Sequence, residues 1–150
     1  MAACIWVLPA TAGTDSPAKA VEHLLSAASP PKGVVFDIVS RDPKYLDTAL
    51  EQVKVWERQL QARYPTIDIA VVSHGDEQLA LTTDKQAIEF TANSLVEELL
   101  GDNVALHVCA AHAATQGVAP EEYPAHIDVT PSGPAKIADY VDRGYVLIVL

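Results

Sequence analysis

Short apolar runs recur along this chain, each followed by a stretch of helical periodicity, and few folds accommodate that rhythm. Val34-Val-Phe-Asp-Ile-Val39, Ile67 to Val72 and Val104-Ala-Leu-His-Val-Cys109 are the clearest runs. A strand that is apolar on both faces must be covered on both faces, which is the situation of a parallel sheet flanked by helices. After the first run, Leu46, Leu50, Val53 and Leu60 fall at helical spacing between Asp42-Pro43 and about Arg63, and Tyr64-Pro65 ends the pattern. A second helix is expected from about Asp84 to Leu100, stopped by Gly101-Asp102-Asn103, with Asp76 to Thr83 as a loop before it. A short helix over Ala110 to Gln116, a brief strand over Ile127 to Val129, a helix over Ala135 to Asp142 and a strand over Tyr145 to Leu150 complete the series. The expectation is an α/β three-layer sandwich with a mainly parallel sheet of about five strands, joined by right-handed crossovers.

Ser29-Pro30-Pro31-Lys32-Gly33 is the sharpest break. Residues 33–150 therefore read as one α/β domain and residues 1–32 as an N-terminal arm. Asp15-Ser16-Pro17 is a helix start, with Ser16 as cap and Pro17 in the first turn, so a short helix over 18–28 is expected in that arm. Ahead of it, Cys4-Ile-Trp-Val-Leu8 and the A-x-A pattern Ala10-Thr11-Ala12 resemble the end of a signal peptide, although nothing positive precedes them. Residues 1–12 are thus either a short ordered arm or a signal remnant. The second alternative would make the mature protein periplasmic.

Ten basic against twenty acidic residues leave a formal charge of −10. Nucleic acid and anionic membrane both demand a basic footprint, so neither is expected as a partner. No apolar run approaches the ~20 residues needed to span a bilayer. Two cysteines and no C-x-x-C pair exclude a disulfide scaffold, and the sequence calls for no cofactor.

Sites in open parallel sheets gather outside the carboxyl ends of the strands. Those ends carry Ser40-Arg41-Asp42, Ser73-His74-Gly75, Cys109 to His112, and Ser132-Gly133. Cys109 stands where a strand gives way to a helix, a place whose N–H groups favour thiolate over thiol. His112 follows by three residues, so on a helical turn the two share a face and the imidazole can lower the thiol pKa or accept its proton. His74 ends another strand. Gly75 permits a sharp turn with exposed N–H groups, Ser132 and Gly133 offer a hydroxyl and an N–H near a helix start, and Arg41 could hold an anionic substrate. Each has a bland alternative. Cys109 could be a small buried hydrophobe, His112 a surface residue, His74 a turn-closing hydrogen-bonder and Arg41 half of a surface ion pair. His107 reads as structural, and His23 and His126 as exposed. Asp37 is unusual in a core strand and is expected at an edge or paired with Arg41 or Lys32. Zinc on Cys109, His112 and His74 is weighed and set below sulfur chemistry, because a third catalytic or fourth structural ligand is not evident.

With these residues laid out, the chain resembles the DsrE/DsrF family of sulfur-relay proteins over roughly Gly33 to Leu150. The resemblance rests on the strand Val34 to Val39, on Ala70-Val-Val-Ser-His-Gly75, and on Leu106-His-Val-Cys109 followed by Gly117-Val118. It continues through Ile127-Asp-Val-Thr-Pro-Ser-Gly133 and Tyr140 to the closing Gly144-Tyr-Val-Leu-Ile148. The residues between Cys109 and Gly117 lack the arginine expected shortly before that glycine, and the N-terminal arm is extra to the minimal domain. The resemblance implies a three-layer fold, a cytoplasmic location, and assembly into trimers, hexamers or hetero-oligomers. It also implies that Cys109 carries sulfane sulfur as a persulfide between donor and acceptor proteins, in sulfur oxidation or tRNA thiolation. On that basis Cys109, His112 and His74 are the expected sulfur-handling residues, with Gly75, Ser132, Gly133 and Arg41 shaping the site. The alternative is a non-catalytic assembly or regulatory module with an inert cysteine.

Overall fold

The computed structural model describes residues 15–150, so Cys4 and the signal-remnant reading of residues 1–12 lie outside the described residues. Five strands, β1 (Gly33–Ile38), β2 (Asp68–Ser73), β3 (Ala105–Cys109), β4 (Asp128–Thr130) and β5 (Val146–Val149), form one sheet in the order β4-β3-β2-β1-β5. Every pairing is parallel. The helices are α1 (Pro17–Ser26), α2 (Tyr45–Arg63), α3 (Phe90–Gly101), α4 (Ala110–Thr115) and α5 (Gly133–Asp142). Two 3-10 segments, Asp76–Leu81 and Pro120–Glu122, lie in the connections. No described helix is long and apolar enough to cross a membrane.

The layering follows from the direction of travel. From β1 through β4 the chain steps one way across the sheet, and then α5 carries it back past β3, β2 and β1 to place β5 beyond β1. Right-handed crossovers put forward steps and the return step on opposite faces. Val34, Phe36 and Ile38 of β1, Ile69 and Val71 of β2, and Leu106 and Val108 of β3 accordingly meet α1 to α4 in the larger core. Val35, Ala70 and Val72 face the other way, against Ile137 and Tyr140 of α5 alone. That face is incompletely covered, and Val39, Leu147 and Val149 remain exposed on or beside it. The expected sandwich, helices on both sides of a parallel sheet, is what forms.

Helix α1 joins the larger core through Val21. The Tyr64 hydroxyl, at the end of α2, donates to the carbonyls of Leu24 (2.7 Å) and Ala27 (3.0 Å). The residues ahead of the Pro-Pro break therefore pack with those behind it.

Three helix starts differ by two or more residues from the sequence reading, each for a local reason. Helix α2 starts at Tyr45 rather than Asp42, because the Asp42 carboxylate accepts from Lys44 N–H (3.0 Å) and holds a turn. Helix α3 starts at Phe90 rather than Asp84. The Thr82 hydroxyl donates to the Leu79 carbonyl and to Asp84, and Thr83 N–H donates to the Glu122 carbonyl, so the chain before Phe90 is held in turns. Helix α5 starts at Gly133 rather than Ala135, because Ser132 is its cap, accepting from Ala135 N–H at 3.3 Å. Its other end stops at Gly144, whose φ of +92° favours a residue without a Cβ.

Candidate functional site

The carboxyl rim of the sheet brings Cys109, His74 and Gly133 together. The last paired positions of β2 and β3 are Ser73 and Val108, so His74 and Cys109 follow side by side. β3 hands over to α4 on one face, and β4 to α5 on the other. Adjacent strands whose connections diverge in this way open a crevice at their carboxyl ends, where α/β sheets keep ligands. Cys109 ends β3 at that divergence. The crevice is tied across by Ala111 N–H, which donates to the Pro131 carbonyl at 3.1 Å.

Cys109 is nearly sealed, at 3% exposure. Its backbone N–H donates to Gln78 Oε1 at 2.7 Å, and its Sγ accepts from the backbone N–H of His112 at 3.4 Å. Gly133 lies on top. A Cβ placed there would meet His74 Cβ at 2.6 Å and Cys109 Cβ at 3.3 Å, so this glycine is required for space and not for backbone conformation.

Each imidazole has a carboxylate partner that the sequence did not assign to it. His112 serves Cys109 through its backbone, while its Nε2 pairs with Asp76 Oδ1 at 2.7 Å. His74 Nε2 pairs with Asp37 Oδ1, also at 2.7 Å. Asp37 thus sits on an interior strand with His74 as partner, rather than at a sheet edge or with Arg41 or Lys32. The hydrogen bond and charge of Asp37, helped by Glu77, raise the His74 pKa above its ordinary value against the opposing effect of burial. Imidazolium is thereby favoured beside Cys109.

Glu77, Gln78 and Tyr123 were not legible as site residues. Glu77 is fully buried, and its carboxylate accepts three hydrogen bonds. Oε2 accepts from Ser40 N–H (2.7 Å), and Oε1 accepts from the Ser73 hydroxyl (2.8 Å) and Gly75 N–H (2.9 Å). The Gly75 N–H is therefore spent on Glu77 and not offered to a ligand. Gly75 is instead a point of close approach, since a Cβ there would lie 2.4 Å from the Ser40 carbonyl oxygen. The Ser132 hydroxyl is likewise used as a helix cap. Gln78 and Tyr123 are both buried, and Gln78 Nε2 and the Tyr123 hydroxyl have no hydrogen-bond partner. Burial, then the charges of Cys109, Glu122 and Glu77, push the Tyr123 phenol well above its ordinary pKa. The signal for Glu77 and Gln78 was their place, just beyond Ser73-His74-Gly75-Asp76. Polar residues in a loop are ordinarily solvated, and nothing in the sequence marked these as buried.

Arg41 is exposed beyond β1. His107 is structural: its Nδ1 pairs with Asp128, its Nε2 meets the Tyr140 hydroxyl at 2.7 Å, and burial lowers its pKa. His23 and His126 are exposed. Among the described residues no group of three His, Cys, Asp or Glu side chains is arranged to hold a metal ion. His74 and His112 each place Nε2 on a carboxylate. What the rim can do is sulfur chemistry: a thiol with a backbone donor on its sulfur and a carboxylate-held imidazole beside it.

The sequence model of the DsrE/DsrF-like family matches residues 33–150. No curated protein is significantly similar to the chain. Among solved structures, a protein of unknown function from Methanobacterium thermoautotrophicum, MTH1491, superposes with a TM-score of 0.62 at 24% identity. The match covers 78% of this chain and 97% of that one, and at this identity it speaks for the fold.

Proposed function

The chain belongs to the DsrE/DsrF-like family, and on that premise we propose that it is a sulfur carrier whose Cys109 accepts sulfane sulfur as a persulfide and passes it to a partner thiol. The observation that carries this reading is the position of Cys109. It ends β3 where the connections diverge, with the N–H of His112 on its sulfur and the His74–Asp37 pair beside it. The first gives the sulfur a hydrogen-bond donor, and the second sets a titratable imidazole on the neighbouring strand end.

The step is an exchange at sulfur. The Cys109 thiolate attacks the outer sulfur of a donor persulfide; the new Sγ–S bond forms as the donor's S–S bond breaks. The electron pair of that bond leaves on the donor thiolate, which also takes up the proton released by the Cys109 thiol. The sulfane sulfur keeps its oxidation state, and no outside oxidant or reductant enters. Delivery to an acceptor runs the same exchange in reverse. At 3% exposure, Cys109 needs the first turns of α4 and α5 to part before a protein donor can reach it. Partners are donor and acceptor proteins, and the exposed Val39, Leu147 and Val149 on the thinly covered face support assembly into a homo- or hetero-oligomer.

The burial of Cys109 also favours a second reading, an assembly or regulatory module in which the thiol is inert packing. Mass spectrometry of the native full chain after sodium polysulfide, with digestion to the Cys109 peptide, separates the two. A single added sulfur on that peptide, removed by reductant and absent in Cys109→Ala, is the expected result. A Cys109 peptide that stays unmodified, in a protein whose Cys109 is alkylated only after unfolding, would establish the second reading instead.

A further inference from the structure

Four buried side-chain polar atoms among the described residues lack a hydrogen-bond partner, and two of them, Gln78 Nε2 and the Tyr123 hydroxyl, belong to residues grouped around Cys109. Both are donors. A buried donor without an acceptor costs about 1–3 kcal/mol, so such pairs of orphans are seldom retained without a use.

The Gln78 amide has no freedom to turn. Its Oε1 is fixed by the Cys109 N–H at 2.7 Å, and this assigns the other end of the carboxamide as the donor and keeps it within one amide group of Cys109. Tyr123 comes from the connection that leaves α4, which Cys109 caps, and returns to β4, where Thr130 pairs with Cys109. Glu77, a buried acceptor, takes three other donors and bonds to neither of these. Cys109 Sγ already accepts from His112 N–H, and a thiol is a weak acceptor in any case. What the two donors lack is an anionic acceptor lying one bond beyond Sγ.

We propose that Gln78 Nε2 and the Tyr123 hydroxyl hold the outer sulfur of the Cys109 persulfide, which deepens the carrier reading and rests on it. The burial of the site makes the two donors necessary. An anionic sulfur held away from water is unfavourable unless hydrogen bonds replace its solvation. The loading step is the exchange already written; the donors form their bonds only after the Sγ–S bond exists.

The test uses the full chain, loaded with sodium polysulfide and then challenged with cyanide, with the Cys109 peptide followed by mass. Tyr123→Phe removes one hydroxyl and keeps the ring. Gln78→Glu keeps the acceptor for Cys109 N–H and replaces the amide donor. Unloaded Tyr123→Phe is expected to melt at or above the wild-type temperature, because an unpartnered buried hydroxyl is gone. Once loaded, both variants are expected to lose the outer sulfur about tenfold faster or more, as fits a lost hydrogen bond to a charged group. A merely structural role would not separate the loaded from the unloaded state in this way. If wild type takes up sulfur on Cys109 and both variants hold it as long as wild type does, the assignment of the donors fails while the carrier reading stands. If wild type takes up none on Cys109, both fall together.

Discussion

Gly133→Ala tests the geometry of the rim without touching a titratable group. The added methyl would lie 2.6 Å from His74 Cβ and 3.3 Å from Cys109 Cβ, where carbon atoms prefer about 3.5–4.0 Å. Neither neighbour is the free end of a flexible chain; both atoms are tied directly to the backbone of adjacent strands. Relief must therefore come from moving the first turn of α5 off the sheet by about an ångström. Overpacking of this kind costs about 1–3 kcal/mol, which for a chain of this size lowers Tm by about 3–10 °C. The displacement also uncovers Cys109, so alkylation of that thiol in the folded protein should quicken. Gly101→Ala is the matched control. A Cβ at Gly101, the last residue of α3, would meet nothing within 4 Å, and the substitution should be neutral or stabilise by up to about 1 kcal/mol. Thermal denaturation of the two variants side by side decides the matter. A Gly133→Ala protein that melts with wild type, or no lower than Gly101→Ala, would refute the claim that α5 is clamped onto His74 and Cys109.

Three other substitutions probe the charges and networks around this frame. Asp37→Asn should lower the His74 pKa, read by NMR titration. Because the folded value is raised, the stability that this pair supplies is present in full below about pH 6.5, while Asp37 is ionised, and fades as pH rises through the raised value; an unchanged His74 titration would discount Asp37 as the cause. Lys54→Met leaves Glu57, 1% exposed, without the ammonium 3.5 Å away, and should cost about 3–5 kcal/mol in urea unfolding. Most of that loss should return in Lys54→Met combined with Glu57→Leu. Tyr140→Phe removes the partner of His107 Nε2, and a loss of about 1 kcal/mol in chemical denaturation is expected; no loss would show that the hydrogen bond contributes nothing net.

The architecture was legible because it is written in periodicity. Strands apolar on both faces and helices with one apolar stripe admit few arrangements, and the punctuation at Tyr64-Pro65, Gly101-Asp102-Asn103 and Arg143-Gly144 marks where elements end. The order of strands was not legible, since adjacency between β1 and β5 leaves no local trace. That gap propagated to the site. His74 could be named, but its place beside Cys109 depends on β2 pairing with β3, and its partner Asp37 could be recognised only as an oddity in a core strand. His112 is a different case. Spacing put it next to the sulfur, which its backbone N–H does reach, while the Asp76 carboxylate that takes its ring left no mark in the sequence. Glu77, Gln78 and Tyr123 escaped notice because their burial is a property of how two connections meet, and no single segment encodes it.

The strand order also bears on how the chain acquires its structure during synthesis. β1, β2, β3 and β4 are each joined to the next along the sheet and can assemble as they emerge. β5 pairs with β1, matching Val34 to Val146, so β1 has an open hydrogen-bonding edge until β5 has left the ribosome. In that interval the apolar residues Val34 to Ile38 are accessible to other nascent chains. The late strand is thus the one whose delay exposes the chain to misassembly, and destabilising changes in Val146 to Val149 should lower the yield of soluble protein more than they lower the stability of what has folded.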